Sequence, residues 1–282
     1  MARKIAFIGF GEAGQAFARP GDRAYDRLTD TAATRTAKQA DYRAANVLGC
    51  ETPAEALAGA NAVCSLVTAD QALPAAQTAA ASIASGTLWL DMNSVAPGTK
   101  RAAAEAIDAA GGRYVDVAVM APVLPARLAV PLLVSGPHAA DAVDVLAAHG
   151  FSRIEIAGPR VGDASAIKMI RSVMVKGIEA LSAECALAAH RAGVSDAVFA
   201  SLDASWKPQD WGARIDYNLD RMMAHGLRRA AEMEEAAATL EHLGVEPAMT
   251  RGTIRRQRAI GNLGMTPPDG LALKLTALGD CA

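Results

Sequence analysis

The chain has 282 residues, of which 51% are hydrophobic and only 4% aromatic, and its formal net charge is −2 at pH 7. This length favours two domains, and the near-zero charge with dispersed basic residues gives no electrostatic reason to expect nucleic acid or an anionic membrane as a partner. No apolar stretch approaches the ~20 residues of a membrane helix, and the four scattered cysteines argue against a disulfide framework or a metal site. The N-terminus leads into a strand without a signal pattern, so we expect a soluble, cytoplasmic protein.

The first half of the chain alternates short β-like runs with alanine-rich segments, the pattern of βαβ units on a parallel sheet. Strands are predicted at residues 4–8, 23–26, 62–67, 87–91, 114–118, 132–135 and 153–156. Helices are predicted at residues 11–19, 53–57, 71–83, 97–110 and 139–149, several of them led by Pro or ended by Gly. These elements predict an α/β fold in which residues 1–160 form a Rossmann-type, doubly wound sheet that binds NAD(P).

The second half has no strand signal and reads as helical. Apolar residues recur at spacings of three and four from residue 163 to about 190, which predicts one long helix. Further helices are predicted over residues 195–258, with breaks at Pro208 and around residues 244–247. We therefore predict an all-helical substrate and dimerisation domain at residues 161–260 and a loosely structured tail at 261–282. The apolar stripe of the long helix favours a homodimer.

The first predicted strand delivers the chain directly into G-x-G-x-x-G, formed by residues 9–14. Gly9 permits the tight turn, Gly11 lets the backbone approach a pyrophosphate, and Gly14 lets the new helix pack closely on the strand. The intervening Phe10, Glu12 and Ala13 are included as cofactor contacts. The pattern predicts a dinucleotide site; the alternative is an ordinary turn between a strand and a helix.

Further cofactor contacts are predicted where other strands end. Asp26 ends the second predicted strand, where a carboxylate binds the adenosine ribose and disfavours a 2′-phosphate, so NAD is slightly favoured. Arg27 beside it leaves NADP open, because a guanidinium binds phosphate well. Asp26 follows Gly9 by only 17 residues, which makes its placement less secure. Val67, Thr68 and Asn93 complete the predicted cofactor set.

A lysine lies on the first turns of the predicted long helix, in the segment GPRVGDASAIK that ends at Lys168. This segment resembles the lysine signature of the β-hydroxyacid dehydrogenases, the family of 3-hydroxyisobutyrate dehydrogenase and 6-phosphogluconate dehydrogenase. Residues 91–94 resemble the D-x-S-T segment of that family and residues 116–119 its D-A-P-V strand. The resemblance covers residues 3 to about 190, and residues 221–233 are similar to the C-terminal domain of a phosphogluconate-dehydrogenase-like subgroup.

The resemblance implies an NAD(P)-dependent oxidoreductase that moves hydride between nicotinamide and a small β-hydroxy acid or related alcohol. Lys168 is the predicted catalytic residue, because the substrate hydroxyl loses a proton as hydride leaves its carbon. Burial in a cleft would lower the pKa of such an amine toward neutrality. The alternative for Lys168 is a surface lysine with a packed stem. Whether decarboxylation follows oxidation is left open.

The chain departs from the family where substrate is held. Met120-Ala121-Pro122 replaces the usual Ser-Gly-Gly, and Ser172, preceded by Arg171, replaces the usual Asn. Candidate substrate contacts are therefore Ser94, Met120, Arg171, Ser172 and His225. Ser94 is equally typical of a helix N-cap, and His225 of an ion-paired helix face.

Two other functions stay open at this point. One is an imine or ketone reductase of the same fold, because the usual carboxylate holders are missing. The other is a nucleotide-binding or scaffold protein with weak chemistry, favoured by the short first helix.

Overall fold

The computed structural model describes residues 5–205, 211–242 and 244–279, apart from some side chains of the two longest helices. The chain divides into a sheet unit, Met1–Ser172, and a helical unit, Val173–Ala282. The division falls inside the long helix and not at the predicted boundary after residue 160.

The sheet unit contains an eight-stranded sheet, which confirms the predicted α/β architecture. Its strands are β1 (Ile5–Ile8), β2 (Arg23–Tyr25), β3 (Leu48–Gly49), β4 (Ala62–Ser65), β5 (Leu88–Asp91), β6 (Arg113–Val119), β7 (Leu132–Ser135) and β8 (Ile154–Gly158). Their spatial order is β3-β2-β1-β4-β5-β6-β7-β8. Only β3 has no predicted counterpart, since two exposed residues carry no alternation signal.

One strand pair breaks the expected parallel pattern. β6 and β7 are antiparallel, with Asp116 opposite Ser135, whereas the other neighbouring pairs are parallel. A parallel return needs a crossover of a dozen or more residues, usually a helix. Residues 120–131 contain three prolines and form only a short 3-10 turn, Arg127–Ala129, so the chain turns back directly.

Six helices cover the two faces of this sheet within the described residues. They are α1 (Glu12–Phe17), α2 (Ala32–Ala44), α3 (Pro53–Leu57), α4 (Ala72–Ala80), α5 (Pro97–Ala109) and α6 (Ala139–His149). α2 was not predicted, because its buried positions are Lys38 and Tyr42 and its sequence lacks an apolar stripe. Its burial depends on polar contacts that only the folded chain provides.

Alternate residues of each strand enter different cores. Phe7, Leu90 and Val117 pack on one face, while Ile8, Trp89 and Tyr114 pack on the other. Because both faces are buried, the strands are apolar almost throughout. Because β1, β4, β5 and β6 are parallel neighbours, their carboxyl ends lie at the same end of the sheet, where ligands of such folds bind.

The helical unit continues from α7 (Asp163–Arg191), which begins in the sheet unit, through α8 (Ser195–Ser205), α9 (Trp211–His242), α10 (Ala248–Gly261) and α11 (Leu271–Gly279). α9 and α10 approach closely at two glycines: a Cβ on Gly226 would lie 2.8 Å from the Cα of Gly261. None of the helices in the described parts of the chain is long and apolar enough to cross a bilayer.

The tail predicted to be loosely structured contains α11. Lys274 on this helix is only 3% exposed, and its Nζ lies 2.9 Å from Asp216 and 3.3 Å from Asp220, both on α9. The helix packs with a buried cation instead of an apolar stripe, and Pro267-Pro268 precedes it. These two features explain why the sequence pattern did not reveal it.

Candidate active site

Two of the three glycines in the glycine-rich turn stand where a larger side chain would collide with the backbone. Gly9 has φ +89°, and a Cβ there would lie 2.3 Å from the carbonyl oxygen of Leu66. A Cβ on Gly14 would lie 3.0 Å from the carbonyl oxygen of Gly9. Gly11, by contrast, is exposed and a Cβ there would meet nothing within 4 Å. Gly9 and Gly14 thus shape the turn, while Gly11 faces open space, as a cradle for a pyrophosphate requires.

A cavity of about 470 Å³ lies beside this turn. In the sheet, β2 neighbours β1 on one side and β4 neighbours it on the other, so the strand order reverses at this point. Eight predicted cofactor residues line the cavity: Gly9, Gly11, Glu12, Ala13, Asp26, Arg27, Val67 and Thr68. This is the switch point of the sheet, the position at which doubly wound folds bind dinucleotides. The residues present therefore fit a nicotinamide dinucleotide.

Phe10 is held in place and does not line this cavity. Its ring is fully buried against Phe7 and Tyr42. Its backbone N–H donates to Asp26 Oδ2 at 2.7 Å, and its carbonyl accepts from Lys38 Nζ at 2.8 Å. Phe10 was predicted as a cofactor contact, whereas Lys38, whose side chain crosses from α2 to this loop, was not predicted.

Asp26 contributes to the same anchoring. Its Oδ1 accepts from the backbone N–H of Leu28 at 2.9 Å while its Oδ2 holds Phe10. The carboxylate thus ties the glycine-rich turn to the end of β2 and also lines the cavity. Arg27 beside it is exposed. A short spacing between Gly9 and Asp26 is accommodated because α1 has only six residues.

A second cavity, of about 300 Å³, adjoins the first, and Ala13, Leu66 and Val67 line both. Lys168 and Ser94 line this second cavity together with apolar side chains. Lys168 Nζ donates to Ser94 Oγ at 2.5 Å, although the two residues are 74 positions apart in the chain. Two residues predicted separately are therefore brought together next to the dinucleotide cavity.

Asn93 lines the second cavity, but its side-chain amide is committed within the protein. It is 4% exposed, its Oδ1 accepts from the backbone N–H of Val67 at 2.7 Å, and its Nδ2 donates to Ser65 Oγ at 3.0 Å and Asp91 Oδ1 at 2.8 Å. The amide joins the ends of β4 and β5. Direct contact with the cofactor, as predicted for Asn93, stays a prediction.

A cluster of buried polar side chains, Lys100, Asp91 and Tyr114, lies at this end of the sheet. Lys100 Nζ, fully buried, donates to the backbone oxygen of Asp91 at 2.6 Å and lies 3.0 Å from its Oδ1. Tyr114 donates its hydroxyl to Asp91 Oδ2 at 2.6 Å. Burial, followed by the charge of Asp91, raises the pKa of Tyr114, so its hydroxyl stays protonated and remains a donor.

The other predicted substrate residues lie on separate segments of the chain. Met120 follows β6 but does not line the cavity, whereas its neighbours Ala121 and Pro122 do. Arg171 is exposed on α7, and the side chain of Ser172 lies outside the described part of the chain. His225 is exposed on α9 in the helical unit. The apolar lining residues were missed because nothing distinguishes them in sequence from core residues.

Fold and site together define the class of NAD(P)-dependent oxidoreductases. The chain belongs to the family of the NAD binding domain of 6-phosphogluconate dehydrogenase, whose model matches residues 4–151. Residues 189–260 match a second family model, a domain of unknown function named DUF1932.

Solved structures share the fold of this chain. A conserved hypothetical protein from Sinorhizobium meliloti is 36% identical over 99% of this chain and 97% of its own, with a TM-score of 0.61. A conserved protein of unknown function, described as similar in structure to 3-hydroxyacid dehydrogenases, is 28% identical over 94% of this chain and 99% of its own, with a TM-score of 0.58. A reductive aminase from Aspergillus terreus, solved with NADPH and ethyl levulinate, shares the fold at 21% identity, with coverages of 95% and 97% and a TM-score of 0.70.

A curated relative is also similar over part of its length. It is an uncharacterised 28.5 kDa protein of Methanothermus fervidus, 26% identical over 169 residues. The match spans 59% of this chain and 63% of that protein.

Proposed function

We propose that the protein transfers hydride between a nicotinamide cofactor and a small β-hydroxy acid or related alcohol, with Lys168 as the proton-transfer residue. The observation that carries this proposal is the position of Lys168 Nζ, 2.5 Å from Ser94 Oγ, in a cavity that shares three residues with the dinucleotide cavity. A dinucleotide phosphate site alone does not need a lysine there.

The nicotinamide ring, when bound, supplies the carbon that accepts or releases hydride. The remaining work falls to the chain. Ala13, Leu66 and Val67 form the wall common to the two cavities. The Lys168 amine, when neutral, accepts the proton of the substrate hydroxyl at its Nζ, and in the reverse direction its ammonium form returns that proton to the carbonyl oxygen. Ser94 accepts a hydrogen bond from Nζ and so limits the positions available to the amine.

A second candidate is the reduction of an imine or ketone at the same site. It is favoured by the apolar Ala121 and Pro122, which line the cavity where many hydroxyacid dehydrogenases carry Ser-Gly-Gly. The fold shared with a reductive aminase points the same way. The cofactor is proposed to be NAD, because Asp26 lines the dinucleotide cavity just after β2, where a carboxylate in such folds binds the ribose; Arg27 keeps NADP as the alternative.

The deciding experiment is a screen of hydroxy acids, alcohols, ketones and imines with both cofactors, followed by replacement of Lys168. We expect Lys168→Ala to bind NADH or NADPH as the parent protein does, since Lys168 does not line the dinucleotide cavity. Its kcat on the substrate found should fall by about 10²- to 10⁴-fold, the usual contribution of a positioned acid or base. Cofactor fluorescence measures binding, and absorbance of the reduced nicotinamide measures turnover.

Arg160→Ala serves as the matched control. Arg160 is an exposed cation close to the start of the same helix, ion-paired with Asp163 at 3.1 Å, and its loss should leave kcat unchanged. Full turnover by Lys168→Ala would disprove the role of the lysine. Cofactor binding without turnover on the whole screen would favour the scaffold function.

A further inference from the structure

The first turn of α7 is tied to the interior of the sheet unit by its backbone amides. Asp116 Oδ2, on β6, accepts from the N–H of Ser165 at 2.9 Å and of Gly162 at 3.2 Å. Ser135, on β7, accepts from the N–H of Ala164 at 3.0 Å and donates its hydroxyl to the same Asp116 oxygen at 3.2 Å. Helix N-termini commonly bind a local capping side chain or water. Here the partners are two fully buried side chains of neighbouring strands.

The other oxygen of Asp116 faces the buried cluster of Lys100, Asp91 and Tyr114. Its Oδ1 lies 3.3 Å from Lys100 Nζ, which also binds Asp91. Asp91 in turn holds Asn93, and Asn93 accepts from the backbone N–H of Val67. A continuous chain of polar contacts, buried except for the half-buried link at Val67, therefore runs from the wall of the dinucleotide cavity to the first turn of α7.

Lys168 lies three residues beyond Ser165 on the same helix. At about 1.5 Å of rise per residue, its Cα is within one turn of the amide that Asp116 holds. The preceding turn is also sterically confined, because Gly162 has φ +107° and a Cβ there would lie 3.1 Å from the Cβ of Pro97. The position of this first turn consequently sets where Lys168 Nζ lies relative to Ser94.

We propose that Asp116 is a positioning residue that acts through Lys168: by binding the first amides of α7 from within the sheet, it holds the lysine amine against Ser94. This inference rests on the proposed function, in which Lys168 transfers the proton. An exposed capping side chain could bind the same helix. A fully buried carboxylate, held by Ser135 and Lys100, leaves the helix start less freedom to move.

The test uses Asp116→Asn in the full chain and reads Lys168 directly. An Asn amide has one acceptor oxygen, so it cannot serve both the α7 amides and Lys100. Trace acetylation with acetic anhydride, across pH and with free Nα-acetyl-lysine as internal standard, gives the reactivity of Lys168 by peptide mass spectrometry. Losing the equivalent of one hydrogen bond that holds Lys168 in place should raise its rate of acetylation, measured relative to the internal standard, by about threefold to tenfold.

Two further variants separate positioning from general damage. Ser94→Ala removes the hydroxyl that accepts from Lys168 Nζ and should raise the reactivity of Lys168 similarly. Adding Asp116→Asn to Ser94→Ala should raise that reactivity no further. Asp163→Asn removes a carboxylate at the same helix start that binds Arg160 instead of the α7 amides, and it should leave the reactivity of Lys168 unchanged. An equal rise in Asp163→Asn, or additive effects of Ser94→Ala and Asp116→Asn, would overturn the proposal.

Ser135→Ala covers the case in which Asp116→Asn does not fold. It removes one amide partner of α7 without leaving a charge unpaired and should raise the reactivity of Lys168 in the same direction by a smaller factor. No change in a folded Ser135→Ala, when Asp116→Asn cannot be obtained, would overturn the proposal.

Once the screen has found a substrate, kcat provides a second test that is independent of the labelling experiment. Asp116→Asn should lower kcat with an unchanged dissociation constant for the cofactor, and it should lower kcat no further in a Lys168→Ala background. A Lys168→Ala protein with full turnover would reject the proposed function while the labelling experiment still tested Asp116. Loss of kcat in Lys168→Ala but not in Asp116→Asn would reject only the inference.

Discussion

Single residues at the candidate site owe their surroundings to partners that are distant in sequence. Asp26 was predicted from its place at the end of a strand, and it does line the dinucleotide cavity. Its carboxylate also accepts from Phe10 and Leu28, so its charge anchors the glycine-rich turn. One side chain therefore contributes both to the shape of the loop and to the potential at the cofactor site.

We predict that Asp26→Asn shifts cofactor preference toward NADPH. Removing the negative charge removes its repulsion of a 2′-phosphate, and a difference of about 1 kcal/mol changes the ratio of dissociation constants about fivefold. Fluorescence titration with NADH and NADPH measures this ratio. Asp30→Asn is the control, because Asp30 is exposed on the same turn and binds the Tyr25 hydroxyl. An unchanged ratio in Asp26→Asn would refute the assigned role.

At the level of elements, the turn between β1 and α1 separates structural from ligand-facing positions. Gly9 and Gly14 are required by backbone contacts, whereas Gly11 has room around it. The sequence motif treats all three alike. Their different environments lead to different expected effects of the same substitution.

Gly9→Ala and Gly11→Ala should therefore fail in different ways. Gly9→Ala forces a Cβ onto Leu66 at a left-handed φ and should destabilise the fold by about 1–3 kcal/mol. Gly11→Ala should leave the melting temperature unchanged and weaken the binding of NADH by about tenfold or more, because the added methyl group occupies the space through which the pyrophosphate approaches the backbone. Thermal melts and cofactor titration test both. Unchanged cofactor affinity in a folded Gly11→Ala would contradict the assignment.

α11 offers an element-level prediction in the helical unit. The hydrogen bond to Asp216 raises the pKa of Lys274 above its usual value. Its stabilising effect is therefore complete below the unfolded pKa of about 10.4 and is lost as the pH rises through the higher folded pKa. Lys274→Met should melt at a lower temperature than the parent at pH 8, and the difference should be smaller at pH 11.

Circular dichroism at both pH values measures this effect. Leu275→Met, at an exposed neighbouring position, should behave as the parent at each pH. A melting temperature of Lys274→Met equal to that of the parent at pH 8 would show that the ion pair does not hold α11.

At the level of the whole molecule, the helical unit exposes large apolar side chains. Leu181 on α7, and Phe199 and Leu202 on α8, are each more than 40% exposed. Leaving such side chains in water is unfavourable, and association of two copies would bury them. We therefore predict a homodimer, with twice the mass of the chain by light scattering at micromolar concentration. A monomeric mass would contradict this prediction.

The sheet and the long helices were predictable because their signals are local. Apolar runs, helix-breaking Pro and Gly, and spacings of three and four reside in short windows of the chain, and the predicted strands match seven of the eight found. α2 and α11 were missed because each buries a lysine, Lys38 and Lys274, where an amphipathic pattern would have an apolar residue. A buried lysine depends on a carboxylate or carbonyl partner that a local window does not contain.

The sequence by itself determined the class of fold, the glycine-rich turn and the identity of Lys168 as the residue with a chemical role to test. Only the tertiary structure decided which polar groups meet: Lys168 with Ser94, and Asp116 with the first amides of α7. The reason is physical. Secondary structure follows from the spacing of neighbouring residues, whereas hydrogen bonds between groups 49 or 74 positions apart exist only after the strands have assembled into a sheet.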